Sequence, residues 1–65
     1  MVLTVNGEAR EVNATRVDAL LGELGYQGAF FAVAVNQAVV RRAGWAEAEL
    51  AEGDEVEILT PRQGG

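Results

Sequence analysis

Side chains able to do covalent chemistry are scarce in this chain of 65 residues. There is no histidine and no cysteine, which removes the commonest general base, the commonest zinc ligand, every disulfide and every thiolate. Serine and lysine are also missing, and the threonines, Thr4, Thr15 and Thr60, are scattered. Carboxylates are plentiful, but neighbours such as Asp54 and Glu55 point to opposite faces of a strand. Glu55 and Glu57 share a face with no sign of burial, and an unburied carboxylate is a poor general acid. The acids between 52 and 57 lack the ligand spacing of an EF-hand loop. G-x-G-x-x-G, P-loop, nucleophile-elbow and H-E-x-x-H patterns are absent. Neither intrinsic catalysis nor a resident metal or cofactor is expected.

One reactive group stands out, the α-carboxylate of Gly65. The chain closes on "TPRQGG". Pro61 cannot donate a ladder hydrogen bond, so sheet pairing should weaken there. Residues 61–65 are expected to form a flexible Gly-Gly tail beyond a domain spanning 1–60. Arg62 and Gln63 are polar, and Gly64 and Gly65 have no Cβ, so the strip is thin enough for a channel that would exclude any larger side chain. A carboxylate is a sluggish electrophile because its oxygen leaves badly. Coupled to AMP from ATP it becomes a good one, and Gly65 puts no side chain in the way of an attacking sulfur. The resulting thiocarboxylate would be ionised near neutral pH and nucleophilic. A chain without cysteine or histidine offers it few internal groups to react with.

The rest of the composition bounds the setting. A chain of this length makes one small domain, and its 49% apolar residues suffice for one core but leave little room for a deep cleft. The net charge of −5 argues against nucleic acid, whose affinity rests on phosphate neutralisation. Glu47, Glu49, Glu52, Asp54, Glu55 and Glu57 follow one another without an intervening base. They read either as a solvated face or as a surface that steers a basic partner. "AFFAVAV" is far too short to span a bilayer, and no basic region or cleavage site precedes it, so a cytoplasmic protein is expected. Asn13-Ala14-Thr15 matches the glycosylation sequon and is read as chance without a secretion signal.

The elements that must present the tail are legible by pattern. "VLTVNGEAREV" reads as a hairpin turning on Asn6-Gly7. A strict two-residue loop would pair Val5 with Glu8 and Leu3 with Arg10, opposing charge to the apolar face, so a bulge pairing Val5 with Ala9 is expected. "TRVDALLGELG" reads as a helix capped by Thr15 with Asp18 completing a capping box. Val17, Leu20, Leu21 and Leu24 form its buried stripe. Gly22 weakens it and Gly25 stops it. "AFFAVAVN", apolar on both faces, reads as a covered strand, and "QAVVRR" as a short strand returning through Asn36-Gln37. "AGWAEAEL" reads as a short or 3₁₀-like helix with Trp45 as a core anchor. In "EGDEVEILT", Gly53-Asp54 turns the chain, and Val56 and Ile58 alternate with Glu55 and Glu57. The sum is an α+β architecture, a mixed sheet of about five strands packed on one main helix plus a short one.

That order resembles the β-grasp, or ubiquitin-like, fold. Within it the chain resembles the ThiS/MoaD family, and in particular the ThiS sulfur carriers of thiamine biosynthesis. The resemblance rests on the "VNGE" hairpin, "VDALLGELG", "VAVNQAVV", "GW", "LAEGDEVEIL" and the terminal "GG", which cover nearly the whole chain. It implies a non-enzymatic carrier whose Gly65 is adenylated by a ThiF-type adenylyltransferase that uses ATP. Sulfur from a cysteine desulfurase pathway then makes a thiocarboxylate, which thiazole synthase, ThiG, receives. Gly64 would be the adjoining thread, with Gln63 and Arg62 in contact roles. An exposed apolar patch on the sheet is the expected docking surface. Competing readings are a carrier for molybdopterin or tRNA thiolation, a ubiquitin-like modifier of lysines on other proteins, and a plain β-grasp interaction domain.

Overall fold

Two hairpins, one helix and one long strand make up the computed structural model, which describes residues 1–26 and 31–60. The order is β1 (Val2–Val5), β2 (Glu8–Glu11), α1 (Val17–Glu23), β3 (Ala32–Val35), β4 (Ala38–Val40), a 3₁₀ turn (Arg42–Gly44) and β5 (Glu55–Leu59). They form one five-stranded mixed sheet in the spatial order β2-β1-β5-β3-β4. This is the expected α+β β-grasp architecture. The strand last in sequence sits at the centre, parallel to β1 and antiparallel to β3. The first two residues of the "AFFAVAVN" strand, and the whole 61–65 tail, lie outside the described residues.

The first hairpin corrects the expected bulge. Val5 pairs with Glu8 and Leu3 with Arg10, across a two-residue loop in which Asn6 (φ 51°) and Gly7 (φ 85°) are both left-handed. That is the primed turn whose twist matches the flanking strands. Charge does face the apolar side of β1, but at no cost. β2 is an edge strand beyond the cover of the helix, and all four of its residues are exposed.

The expected Thr15 cap is also corrected. The helix begins at Val17, and its N-cap, Arg16, makes no side-chain capping bond. Its first amides are satisfied from across the molecule instead. Val17 N–H donates to the Ala48 carbonyl (3.1 Å) and Asp18 N–H to the Trp45 carbonyl (3.1 Å). Thr15 contributes its own carbonyl to Leu50 N–H at 2.9 Å. At the other end Gly25 (φ 88°) stops the helix as expected. Tyr26 N–H reaches the Leu21 carbonyl and Gly25 N–H the Gly22 carbonyl, the paired bonds of a Schellman stop.

Val17, Leu20 and Leu21 on the helix meet Leu3, Val5, Val33, Val56 and Ile58 from one face of the sheet. Each fully buried Val, Leu or Ile contributes about 1.5–3 kcal/mol, and among the described residues no charged or polar one lies in this core. Trp45 is 8% exposed, the expected anchor. Its Nε1 donates to the Val40 carbonyl at 3.0 Å, and its ring stacks on Phe31 at 5.2 Å. The short helix is displaced from its expected place: it is a 3₁₀ turn at Arg42–Gly44, ahead of Trp45, and the alanine- and glutamate-rich stretch after Trp45 is not helical.

Candidate functional site

The expected site residues, Arg62, Gln63, Gly64 and Gly65, lie outside the described residues, so the site is built from the strand that leads to them. β5 carries Val56 and Ile58 into the core and Glu55, Glu57 and Leu59 onto the opposite face. Its antiparallel ladder with β3 runs Val35↔Val56, Ala34↔Glu57, Val33↔Ile58 and Ala32↔Leu59. On its other side β1 pairs Thr4↔Glu55 and Val5↔Val56. Where β1 turns away, the Asn6 side chain replaces the missing strand, its Oδ1 accepting Ile58 N–H at 2.8 Å. A central strand held on both sides therefore anchors the chain to within a residue or two of Thr60. Whatever follows starts from a fixed point.

The second hairpin holds the beginning of the same strand. Asn36 (φ 51°) and Gln37 (φ 72°) turn it. Asn36 Oδ1 accepts Glu55 N–H at 3.0 Å, and its Nδ2 donates to Asp54 Oδ1 at 3.1 Å. Asp54 Oδ2 in turn accepts Ala51 N–H at 2.9 Å.

The open face of the sheet supplies an apolar strip beside the exit. Leu59 is 65% exposed and Val39 75%. Between them lie Ala32, opposite Leu59, and Ala34, opposite both Val39 and Glu57. Cross-strand partners share a face, so two small side chains floor a shallow strip that two large ones flank and Glu57 borders. Its members were not nameable from sequence, because their exposure depends on which face the helix leaves bare. One signal was present. Leu59 breaks the Glu-Val-Glu-Ile alternation at a place where the pattern calls for a polar residue.

The acidic run divides into two kinds of residue. Glu52 Oε1 accepts Val2 N–H at 3.1 Å, Asp54 secures the turn, and Glu49 pairs with Arg16 at 3.6 Å. Glu47, Glu55 and Glu57 are exposed and have no ion-pair partner among the described residues. No grouping of three or more acids that could hold a metal ion occurs among the described residues, and no helix there is long and apolar enough to cross a membrane. A cleft of about 370 Å³ opens between Val5, Glu8 and Arg10 on one wall and Leu24, Gly25 and Tyr26 on the other. It presents no buried side-chain nitrogen or oxygen that lacks a partner.

Comparison with known proteins adds the family context. The model of the ThiS family matches residues 3–65. A thiazole synthase of Paramagnetospirillum magneticum is 39% identical over 66 residues, a match that takes in 100% of this chain and 20% of the relative. The chain thus spans about one fifth of the length of the curated relative it matches. The crystal structure of a thiamine biosynthesis protein (ThiS) from Geobacter metallireducens is 33% identical, with a TM-score of 0.84 and 100% of both chains covered.

Proposed function

The chain belongs to the ThiS family, the small β-grasp sulfur carriers of thiamine biosynthesis, and we propose that its cargo is carried on the α-carboxylate of Gly65. The carboxylate attacks the α-phosphorus of ATP in a ThiF-type adenylyltransferase, and pyrophosphate leaves. A persulfide supplied by a cysteine desulfurase pathway then attacks the acyl carbon and AMP leaves, and a thiol cleaves the resulting acyl disulfide, releasing the thiocarboxylate and taking the other sulfur into a disulfide. The thiocarboxylate delivers its sulfur to thiazole synthase, ThiG, during formation of the thiazole ring. This chain contributes the carboxylate and the means of presenting it, while ATP is consumed by the activating enzyme.

The observation that carries this reading is the family match, which runs through Gly64-Gly65. A thiazole synthase that contains a stretch similar to this whole chain supports ThiG as the acceptor. The geometry is compatible with it: β5 is held on both edges, and the Leu59–Val39 strip offers a partner an apolar surface beside the last residues of that strand. Exposed Glu55 and Glu57 beside that strip would favour a basic groove in the partner.

The test is intact-mass measurement after incubation with the activating enzyme, ATP and a sulfur source. One oxygen exchanged for sulfur at the C-terminus is expected, and no exchange when Gly65 is deleted. An unchanged mass with a demonstrably active enzyme overturns the reading. Rescue of a deletion strain by thiazole identifies the pathway.

A further inference from the structure

We propose that the β2 edge is a self-complementary docking surface, on which a second copy of this chain pairs antiparallel to make one continuous ten-stranded sheet. β2 is the outer strand on the side of the sheet away from β3 and β4, and Glu8, Ala9, Arg10 and Glu11 are all exposed. The direction of its unpaired backbone groups follows from β1. Thr4, the partner of Ala9, sends its N–H to the Asp54 carbonyl on the β5 side. Val2, the partner of Glu11, likewise accepts from Gly53 N–H at its carbonyl. Rungs alternate along an antiparallel pair, so the N–H and C=O of Ala9 and Glu11 point outward, away from β1. An edge of this kind is a template for another strand.

The occupant follows from charge. A two-fold axis perpendicular to the sheet and passing beside Ala9 puts Ala9 opposite Ala9 of the second copy. The two residues then exchange a pair of backbone hydrogen bonds. In that register Glu8 faces Arg10 of the second copy and Arg10 faces Glu8, both pairs on the helix-bearing face. The neighbouring two-fold registers put Arg10 opposite Arg10 or Glu8 opposite Glu8, like charges that destabilise a cross-strand pair. One register is thereby selected, and Glu8 and Arg10 have no ion-pair partner in their own chain among the described residues. Ala9, on the open face, is small enough to lie against its own copy. The other edge of the sheet has no such charge code: β4 reads Ala38-Val39-Val40. Pairing through β2 leaves the Leu59–Val39 strip and the exit at Thr60 uncovered in both copies.

A contact of one short strand pair lies well below the area of a standard interface, about 1,200 Å² or more, so the dimer forms at high micromolar to millimolar concentration. Sedimentation equilibrium of the full chain is expected to show the average mass rising with concentration, with protection of the Ala9 amide rising in parallel. Ala9→Pro removes an outward N–H that β1 does not use, and is expected to abolish the rise while Trp45 emission stays native. Glu8→Arg and Arg10→Glu, each alone, put like charges on both rungs and weaken self-association about tenfold or more. An equimolar mixture of the two variants restores opposite charges and recovers association. A wild-type chain that stays monomeric at millimolar concentration overturns the proposal. So does association that survives Ala9→Pro, or that is lost instead on Val39→Glu, which would place the contact on the β4 side.

Discussion

The two hairpins look like copies of one device, and they differ in how they are held. Both turn on an asparagine with φ near 51°, in "VNGE" and "VNQA". Both send that asparagine's Oδ1 to a backbone N–H of β5, Ile58 for the first hairpin and Glu55 for the second. The second position of the turn is Gly7 (φ 85°) in one and Gln37 (φ 72°) in the other. The strands leading away are anchored differently too. Past β2, Glu23 accepts Asn13 N–H and Ala14 N–H at 2.9–3.1 Å, a polar staple at the surface. Past β4, Trp45 holds the Val40 carbonyl from within the core. Both hairpins are therefore hydrogen-bonded at the tip, but the exit of the first is held by a surface carboxylate and that of the second by a buried aromatic ring.

Four substitutions test that contrast, from the largest expected effect to the smallest. Trp45→Ala removes the packed support of β4 and should cost about 3–5 kcal/mol. Chemical denaturation should then show a midpoint near the limit of folding for a domain this small. Asn6→Ala leaves the part-buried Ile58 N–H without its acceptor, at a cost of about 1–3 kcal/mol. Amide exchange should accelerate at Ile58 before it does at Val56. Asn36→Ala loses two bonds, but both are exposed and water replaces them, so a loss of about 0.5–1.5 kcal/mol is expected. Equal losses at Asn6 and Asn36 would contradict the contrast. Gln37→Gly relieves a left-handed side chain, offset in part by a more flexible unfolded chain. The net gain should be under about 1 kcal/mol, read as a small upward shift in melting temperature.

What was legible in the sequence was local. Asn6-Gly7, the Val17-Leu20-Leu21-Leu24 stripe, Gly25 and the Val56/Ile58 alternation each state their structure within a few residues, and the fold confirms them except at Leu24, which caps the helix and is only partly buried. The errors lie where a distant segment decides. Thr15 looked like a cap because Asp18 follows it, yet the helix amides go to the carbonyls of Trp45 and Ala48. The β2 register looked mispaired because no local rule says that a strand lies at an edge beyond the helix. The same logic governs the site. Gly64-Gly65 is a covalent feature of the chain and reads directly. The strip of Ala32, Ala34, Val39 and Leu59 exists only once three strands are side by side with one face left bare.

The central position of β5 also sets an order of events during synthesis. β1 and β3 pair with β5 and not with each other, so until β5 emerges from the ribosome the two hairpins have no strand between them to complete the sheet. Long-range pairing of this kind is the slow step in folding. Stability therefore arrives late, once residues 55–59 are in place. A chain cut short before 55–59 has no central strand, and its two hairpins have nothing to join them into one sheet.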